Sequence, residues 1–461
     1  MHHLPDGLPP LPPPPSSDRI EALSLELEGL PLLRSPADLA RLSRDFHDDS
    51  PVLTPLLKDR VAQLGVQAVS VEAVQRVAAA CARHGVPLTL RGSGTGNYGQ
   101  CVPLAGGVVL DLTGLNALRQ LDPATGVFTA EAGIGLADLV GRLRARGRAL
   151  RLQPSTARSA SLGGFIAGGS GGLGSVRWGF LRDPGHLLGL EVITVEPEPK
   201  RLQLDARASR PLNHAYGCNG IITALTMAST EAVPWQDLVI GFSDWPQALT
   251  AARVISESSL LLQSVCLLEA PLCGAMPWPG GETGPRTDHR LLLQVAPDAL
   301  PPLLSWLPDL GGMLLWQRPA GSGQGLPLAE LTWNHTTLHW CRRQSGWTYL
   351  QLLLPQPELA CLQALKQSWG DDVLWHLEAV RSQGAQRLAA LPLVRWRGAE
   401  ALERLIDQVI ALGGVCFNPH VLTVEDGGLG VIDADQVSAK AANDPAGLLN
   451  PGKLRGWWAR G

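Results

Sequence analysis

The 461-residue sequence lacks several features that would each assign it to a broad class of protein. It has no run of about 18 or more apolar residues, which excludes a membrane-spanning helix. Its eight cysteines include no C-x-x-C pair, so the common paired-cysteine zinc patterns are absent. Lys plus Arg (38) do not exceed Asp plus Glu (42), whereas nucleic-acid binders are usually basic. We therefore expect a globular, cytoplasmic protein with free thiols and no nucleic-acid partner.

The N-terminus has neither the basic region nor the apolar region of a secretory signal. Its first 15 residues contain seven prolines, which predicts a disordered leader over residues 1–17. The length of the chain indicates two or three domains. Composition changes after Pro234, where tryptophan and leucine become frequent and glycine clusters become rare. We place the main domain boundary there.

The first domain begins with a β–α–β pattern. Residues 66–69 and 86–90 are apolar enough for strands, and between them apolar residues recur at helical spacing from Ser70 to Cys81. Ser70 suits a helix N-cap, and His84-Gly85 suits the helix end. Further strands are predicted at residues 107–112, 128–132, 190–195 and 220–227, with a helix over residues 136–146. This order predicts a mixed α+β domain.

Four glycines occur in the eight residues 92–99, directly after the second predicted strand. The string formally matches G-x-G-x-x-G, but it leads into another strand instead of a helix, and the acidic residue of a Rossmann site is missing. A Rossmann fold is therefore rejected. Successive backbone N–H groups of such a segment can instead surround an anion, which glycine permits because it has no Cβ. A flexible surface loop is the alternative.

A second glycine cluster favours the anion site over the flexible loop. Residues 163–174 contain seven glycines in twelve positions. Two such segments in one domain predict a single long ligand that lies between them.

The order of these motifs resembles the FAD-binding domain of the vanillyl-alcohol oxidase / p-cresol methylhydroxylase (PCMH-type) flavoprotein family. The resemblance is collinear over residues 50–235 and has a second anchor at Asn450-Pro-Gly-Lys453. Within the family, the chain is most similar to FAD-linked oxidases related to glycolate oxidase and D-lactate dehydrogenase. The motifs that carry it are Arg91-Gly-Ser-Gly-Thr-Gly, Gly107-Val-Val-Leu-Asp-Leu, Glu131-Ala-Gly-Ile-Gly, Leu162-Gly-Gly-Phe-Ile-Ala, Gly189-Leu-Glu-Val-Ile and Tyr216-Gly-Cys-Asn-Gly-Ile-Ile-Thr.

The resemblance implies FAD as the cofactor and assigns residues to it. Residues that match the pyrophosphate loop are Arg91, Gly92, Ser93, Gly94, Thr95, Gly96, Asn97, Tyr98 and Gly99. Residues that match the segment along the ribityl chain and the isoalloxazine are Pro154, Ser155, Ser161, Gly163, Gly164, Ile166, Ala167 and Gly168. Gly220 and Ile221 match the adenosine end, and Asn450 and Lys453 match the C-terminal turn. Relatives with covalent flavin carry histidine where this chain has Thr95, so we expect non-covalent FAD.

The resemblance also implies the architecture. We expect an α+β fold with a PCMH-type FAD-binding domain of two α/β subdomains over residues 18–235. A smaller α+β substrate (cap) domain with an antiparallel sheet is expected over residues 236–430. Residues 431–461 are expected to return to the FAD domain.

The substrate side carries a weaker signal. The histidine motifs that hold a metal in the glycolate and D-lactate relatives, H-x-G-D-G-N-x-H and S-G-E-H-G, do not occur here, and we assign no metal. His335 and His339 are four residues apart and share one face of either a helix or a strand. With Arg342, which suits a carboxylate, they are the candidate catalytic residues. A third ligand such as His376, Glu378 or His420 would be needed for a metal, and a structural role for the two histidines is the other alternative.

These observations predict hydride transfer from a hydroxyl-bearing carbon to flavin N5, with a small 2-hydroxy acid as the substrate. A sugar or polyol is the alternative substrate, and a catalytically degenerate FAD-binding protein is the second alternative. We expect a dehydrogenase instead of an oxidase. Its electron acceptor would be a protein or a quinone. The sequence leaves the oligomeric state open.

Overall fold

The computed structural model describes residues 4–279, 288–323 and 325–460. Parts of the expected leader (1–3), cap domain (280–287 and 324) and C-terminal segment (461) lie outside the described residues. The helices are α1 Ser17–Glu26, α2 Pro36–Leu42, α3 Leu53–Leu57, α4 Val71–His84, α5 Leu136–Arg144, α6 Leu162–Gly168, α7 Ser175–Trp178, α8 Trp245–Glu257, α9 Ala270–Cys273, α10 Leu300–Trp306, α11 Asn334–Arg343, α12 Glu358–Trp369, α13 Ala399–Ala411, α14 Val424–Gly427, α15 Ala434–Asn443 and α16 Arg455–Trp458.

The first sheet contains four strands in the order β1-β2-β4-β3. Strands β2, β3 and β4 are parallel, and β1 pairs antiparallel to β2. Helix α4 crosses between β2 and β3, as the sequence predicts: the Ser70 side chain accepts the Ala73 N–H, and Gly85 ends the helix with φ of 59°. The strands are β1 Leu32–Leu33, β2 Leu64–Gln67, β3 Leu88–Arg91 and β4 Val108–Asp111.

The second sheet is antiparallel and completes the first domain. Its order is β5-β6-β10-β8-β9, and β7 pairs with the far end of β10. Helices α5 and α6 pack on this sheet through Leu136, Leu139, Leu162 and Ile166, which are fully buried. The strands are β5 Leu118–Leu121, β6 Val127–Glu131, β7 Arg148–Leu150, β8 Leu187–Ile193, β9 Arg201–Asp205 and β10 Ile221–Glu231.

The second domain is built on an eight-stranded sheet in the order β14-β11-β13-β12-β18-β19-β16-β21, beside a three-stranded sheet β15-β20-β17. All of the pairings in both sheets are antiparallel. The strands are β11 Gln236–Phe242, β12 Leu262–Leu268, β13 His289–Val295, β14 Met313–Pro319, β15 Trp347–Tyr349, β16 Leu352–Leu353, β17 Val373–Leu374, β18 His376–Ser382, β19 Ala385–Ala390, β20 Leu393–Arg395 and β21 Val415–Cys416.

Both faces of the eight-stranded sheet are covered, so its central strands are apolar throughout. Val265 and Leu267 belong to one core cluster, with helices α8, α12 and α13. Cys266 and Leu268 point to the other face, toward the segment that contains α11. This second face also carries the buried side chains of Cys266, His376 and Glu378.

The C-terminal segment returns to the first domain. Leu449 forms a parallel bridge with Leu88 of β3, and the Asn450 N–H donates to the Leu88 carbonyl at 2.8 Å. The Val424 N–H donates to the carbonyl of Lys453 at 2.9 Å, so the return begins a few residues earlier than expected. The break between the two domains falls between Glu231 and Gln236.

The leader differs from the expectation of disorder. Residues 4–16 form no helix or strand, but they lie against the folded protein. The Leu4 side chain is buried in the core of the second domain, and Leu8 and Leu11 pack beside Leu104 in a smaller cluster. Three leucines among the prolines supply the apolar area that a purely polar leader would lack, which explains the difference.

The fold class is therefore α+β, as predicted. All eight cysteines are free. No described helix is both long enough and apolar enough to cross a membrane.

Candidate functional site

The glycine loop, residues 91–99, follows β3. The side chain of its first residue, Arg91, anchors the loop to the segment at residues 42–44. Nη1 of Arg91 donates to the carbonyls of Leu42 at 3.0 Å and Arg44 at 2.6 Å. Gly94 has φ of 70°, and a Cβ there would lie 2.0 Å from the Arg91 guanidinium. Arg91 thus supports the loop from behind, and the half-buried backbone of residues 92–98 forms its open side.

The two glycine segments meet at Ser161. This residue caps α6, and its Oγ accepts the N–H of Gly164 at 3.3 Å and of Ser93 at 3.4 Å. A Cβ on Gly92 would lie 2.0 Å from Ser161 Oγ, so only glycine fits this approach. The expectation that the two segments lie together is confirmed.

Most of the remaining residues of the second glycine segment (163–174) make packing contacts and backbone hydrogen bonds within the first domain. The Gly163 N–H donates to the Ala132 carbonyl at 2.7 Å, and a Cβ there would be 2.7 Å from the Ala132 Cβ. Ile166 is fully buried. The Ala167 carbonyl accepts the Tyr216 N–H, and the Gly168 carbonyl accepts from the Gln100 side chain. These contacts position the segment.

Pro154 and Ser155 are half-buried in the turn next to this segment, because Gln153 and Leu173 exchange both backbone hydrogen bonds. Gly220 and Ile221 lie at the start of β10. Ile221 is fully buried in the first-domain core, and a Cβ on Gly220 would lie 2.8 Å from Val192 Cγ1. Their assignment to the adenosine end stays a prediction.

Asn450 joins three distant segments. Its φ of 41° is rare for a residue other than glycine. Its Nδ2 donates to the carbonyls of Gln100 at 2.7 Å and Tyr216 at 2.6 Å. Asn450 therefore fixes the exit of the glycine loop.

Lys453 is the strongest sign of a bound anion. Its side chain is fully buried, and its Nζ has no hydrogen-bond partner. A Cβ on Gly99 would lie 3.5 Å from this Nζ, so the ammonium lies against the glycine loop. Burial lowers the pKa of Lys453 to about 8, against the opposing attraction of Asp45. An unpartnered buried ammonium beside an open glycine loop fits an anionic cofactor such as FAD.

A carboxylate–histidine pair that we did not predict also lies at this loop. Asp45 Oδ1 is 2.7 Å from His47 Nδ1, both side chains are buried, and Asp45 Oδ2 has no partner. The Phe46 N–H donates to the Gly96 carbonyl at 2.6 Å, which fixes the pair against the loop. In the sequence, this pair is only the string Asp45-Phe46-His47 within a charged run. Such a string looks the same as an ordinary exposed segment, so sequence reasoning missed it.

The second domain reaches the loop through Tyr349, whose hydroxyl accepts from Asn97 Nδ2. His420 lies behind it: Nε2 is 2.7 Å from the Tyr349 carbonyl and Nδ1 is 2.8 Å from Ser50 Oγ. Burial lowers the pKa of His420 to about 4, so its ring is neutral near pH 7. Tyr349 and His420 therefore tie the cap domain to the glycine loop.

The predicted catalytic residues lie on one face of α11, at helical positions i, i+4 and i+7. We call His335, His339 and Arg342 the polar face of α11. His335 Nδ1 lies 3.5 Å from the Glu330 carboxylate, and His339 Nε2 lies 2.8 Å from the Glu330 carbonyl. Burial lowers the pKa of both histidines, and Glu330 opposes this shift at His335. The Arg342 side chain is exposed.

Two residues beside the polar face of α11, Glu330 and Trp333, approach the second glycine segment and the loop before it. Glu330 lies 3.6 Å from Arg158, which belongs to the loop between Pro154 and Ser161. The indole of Trp333 lies 3.4 Å from where a Cβ on Gly171 would be. Among the described residues, no cluster of three metal-ligating side chains includes His335 or His339.

Comparisons with known proteins agree with this geometry. Residues 62–202 match a family model described as an FAD binding domain. The glycolate oxidase subunit GlcD of Bacillus subtilis is 28% identical over 165 residues, 35% of each chain. A D-lactate dehydrogenase of Anaerostipes hadrus is 27% identical over 205 residues, 43% of this chain and 42% of that one. The aligned regions span less than half of the length of these relatives.

A solved structure of an alkyldihydroxyacetonephosphate synthase aligns with a TM-score of 0.74 at 17% identity, and the alignment covers 98% of this chain and 88% of that one. This likeness establishes the fold of both domains. The matched segment and the collinear glycine segments indicate that the first domain is an FAD-binding domain, and over this part of its length the chain is similar to FAD-linked oxidoreductases.

Proposed function

We propose that this oxidoreductase oxidises the hydroxyl-bearing carbon of a small 2-hydroxy acid. The observation that carries the proposal is that Glu330, which contacts both histidines of the polar face of α11, lies 3.6 Å from Arg158, and that Trp333, directly before α11, lies against Gly171 of the second glycine segment. The relatives are named for glycolate, D-lactate and D-2-hydroxyglutarate, which favours the same class of substrate.

His335 is our proposed base. It takes the hydroxyl proton of the substrate, and the Glu330 carboxylate stabilises the imidazolium that forms. His339 Nε2–H donates to the Glu330 carbonyl and keeps that segment in place. Arg342 binds the substrate carboxylate, for which its planar guanidinium is suited. The lowered pKa of His335 keeps its ring neutral and able to accept a proton at neutral pH.

On the cofactor side, the loop of residues 91–99 and Lys453 hold the FAD. When bound, FAD supplies the hydride acceptor at its N5. The Lys453 ammonium offsets negative charge, either of the pyrophosphate or of the reduced ring. Thr95, which stands at the position of the linking histidine in covalent relatives, supports a non-covalent cofactor.

A sugar or polyol is the second candidate substrate. The exposure of Arg342 favours it, because an exposed guanidinium is less suited to hold a substrate carboxylate, although its charge acts on Asp49 of the first domain. We also propose a dehydrogenase, because several relatives carry that name, with a protein or a quinone as acceptor.

Anaerobic mixing tests the proposal. Purified protein reconstituted with FAD is mixed with D-lactate, glycolate or D-2-hydroxyglutarate, and bleaching of the flavin absorbance is followed. We expect bleaching by at least one of them, and a raised KM for that acid in the Arg342→Met variant. Bleaching only by sugars or polyols would select the second candidate. Bleaching by neither class would favour a degenerate FAD-binding protein.

Acid precipitation of the reconstituted protein checks the mode of attachment. All of the flavin is expected in the supernatant, and yellow colour in the pellet would contradict the argument from Thr95. Oxygen uptake compared with reduction of a quinone analogue separates an oxidase from a dehydrogenase.

A further inference from the structure

Three side chains with metal-binding atoms project from the same face of the eight-stranded sheet. Cys266 of β12 lies directly opposite Glu378 of β18, and Leu268 lies opposite His376. Residues two apart on a strand share a face, so His376 and Glu378 point the same way as Cys266. The register of two neighbouring strands thus gathers a thiol, an imidazole and a carboxylate.

These three side chains are buried and close together. Cys266 and His376 are fully buried, and Glu378 is 1% exposed. One donor atom from each lies within 4.8 Å of the other two, and no other group of this kind occurs among residues 4–279, 288–323 and 325–460. Burying three such groups is costly unless they bind one another or a cation.

Hydrogen bonds within the cluster satisfy only part of it. Glu378 Oε1 accepts the Trp333 N–H at 2.7 Å and lies 2.9 Å from His376 Nε2. His376 Nδ1 has no hydrogen-bond partner, although its side chain is fully buried. A purely structural network would leave this nitrogen unpaired in the core.

We propose that Cys266, His376 and Glu378 bind a divalent transition-metal ion, with Zn²⁺ as the favoured ion. Sulfur, nitrogen and oxygen donors in one set are typical of zinc. The Cys266 proton leaves to solvent when the ion binds, and the thiolate and carboxylate then neutralise the charge of the ion. Three protein ligands leave one position for water.

This site is independent of the substrate proposal and differs from the histidine motifs of the glycolate and D-lactate relatives, which the chain lacks. Its effect reaches the FAD side through Glu378. The carboxylate of Glu378 holds the Trp333 backbone, whose φ of 52° is unusual for tryptophan, and the Trp333 indole lies against Gly171. Glu378 therefore links the proposed metal site to the second glycine segment through Trp333.

Metal analysis and zinc K-edge absorption of the untagged holoprotein test the proposal. We expect one zinc ion per chain, with one sulfur neighbour at about 2.3 Å and nitrogen or oxygen neighbours at about 2.0–2.1 Å. Protein treated with a chelator should take up zinc again. An absence of stoichiometric zinc both before and after this reloading would overturn the proposal, as would bound zinc without a sulfur neighbour.

Variants assign the ligands. Cys266→Ser should lose the sulfur neighbour and bind zinc at least tenfold more weakly. Cys416→Ser changes another buried cysteine of the same sheet, and this variant should keep both the sulfur neighbour and the wild-type zinc affinity. Retention of the sulfur neighbour in Cys266→Ser would refute the assignment. If Cys266→Ser does not fold, as judged by its circular dichroism, the absorption data on the wild type decide alone.

Discussion

The glycine site of the first domain and the polar face of α11 in the second domain are built differently. The glycine site is made of backbone, and its geometry depends on the absence of side chains at Gly92 and Gly163. The polar face of α11 is made of side chains that are oriented by one carboxylate, Glu330. The glycine site should therefore be sensitive to substitutions that add side-chain volume. The polar face of α11 should be sensitive to substitutions that remove a charge or a proton acceptor.

The largest effect is expected from His335→Gln, which removes the proposed base but not the helix face. Turnover should fall about 10²- to 10⁴-fold, while flavin content stays unchanged. Steady-state kinetics on the substrate found by the bleaching experiment measure this. His84→Gln, at a histidine paired with Glu26 in the first domain, is the control and should keep wild-type turnover.

The same kinetics test the alternative base. The buried Asp45–His47 pair lies at the glycine loop and has the same carboxylate–histidine arrangement. A loss of turnover in His47→Gln that exceeds the loss in His335→Gln would move the proton acceptor from the second domain to the first.

Lys453→Met tests whether the glycine site depends on charge as well as shape. FAD affinity should fall about 100-fold, because the variant removes the buried cation next to the loop. The apoprotein should become more stable near neutral pH, by about 3 kcal/mol, because the pKa of Lys453 is lowered from 10.5 to about 8 by burial. Flavin titration and denaturant unfolding of the apoprotein measure the two effects. A less stable apoprotein with unchanged FAD affinity would show that Lys453 serves packing alone.

The pH dependence of FAD binding follows from the same group. The ammonium persists below pH 8, so affinity should be constant there and fall up to tenfold per pH unit above it. Between pH 8 and 10.5 the unfolded chain holds more protons on this lysine than the folded apoprotein. Its contribution to apoprotein stability therefore rises with pH in that window. Lys453→Arg should flatten the binding profile, and a slope that persists in this variant would point to another group.

The smallest effect is expected from Gly163→Ala. The added Cβ would lie 2.7 Å from the Ala132 Cβ and 2.9 Å from its carbonyl oxygen. We expect a loss of about 1–3 kcal/mol of stability, measured by denaturant unfolding, together with weaker FAD binding. Gly141→Ala in α5 is the matched control, because no atom lies within 4 Å of its Cβ position. It should gain about 0.5–1 kcal/mol. An equal change in stability in the two variants would contradict the argument that close packing against Ala132 requires glycine at position 163.

The sequence predicts the backbone-built region better than the side-chain-built one, for a physical reason. Apolar periodicity with Ser70 and Gly85 defines α4 within a residue, and glycine density marks the two glycine segments, residues 92–99 and 163–174. Strands β5, β7 and β9 are short or exposed, so the alternation of apolar and polar residues along them hardly distinguishes them from loops. The Cys266–His376–Glu378 cluster depends on the pairing of strands more than 100 residues apart, which no local pattern encodes.

The contacts of Asn450 have a consequence for how the protein is made. This residue joins the carbonyl of Gln100, 350 positions earlier, to that of Tyr216. Lys453 comes three residues later, so both reach the loop only after the cap domain has been translated. A nascent chain on the ribosome can form the parallel strands and α4 early, because those contacts are local. On the proposed assignment of these residues to FAD, tight capture of the cofactor must wait until residues 450–453 have emerged from the exit tunnel.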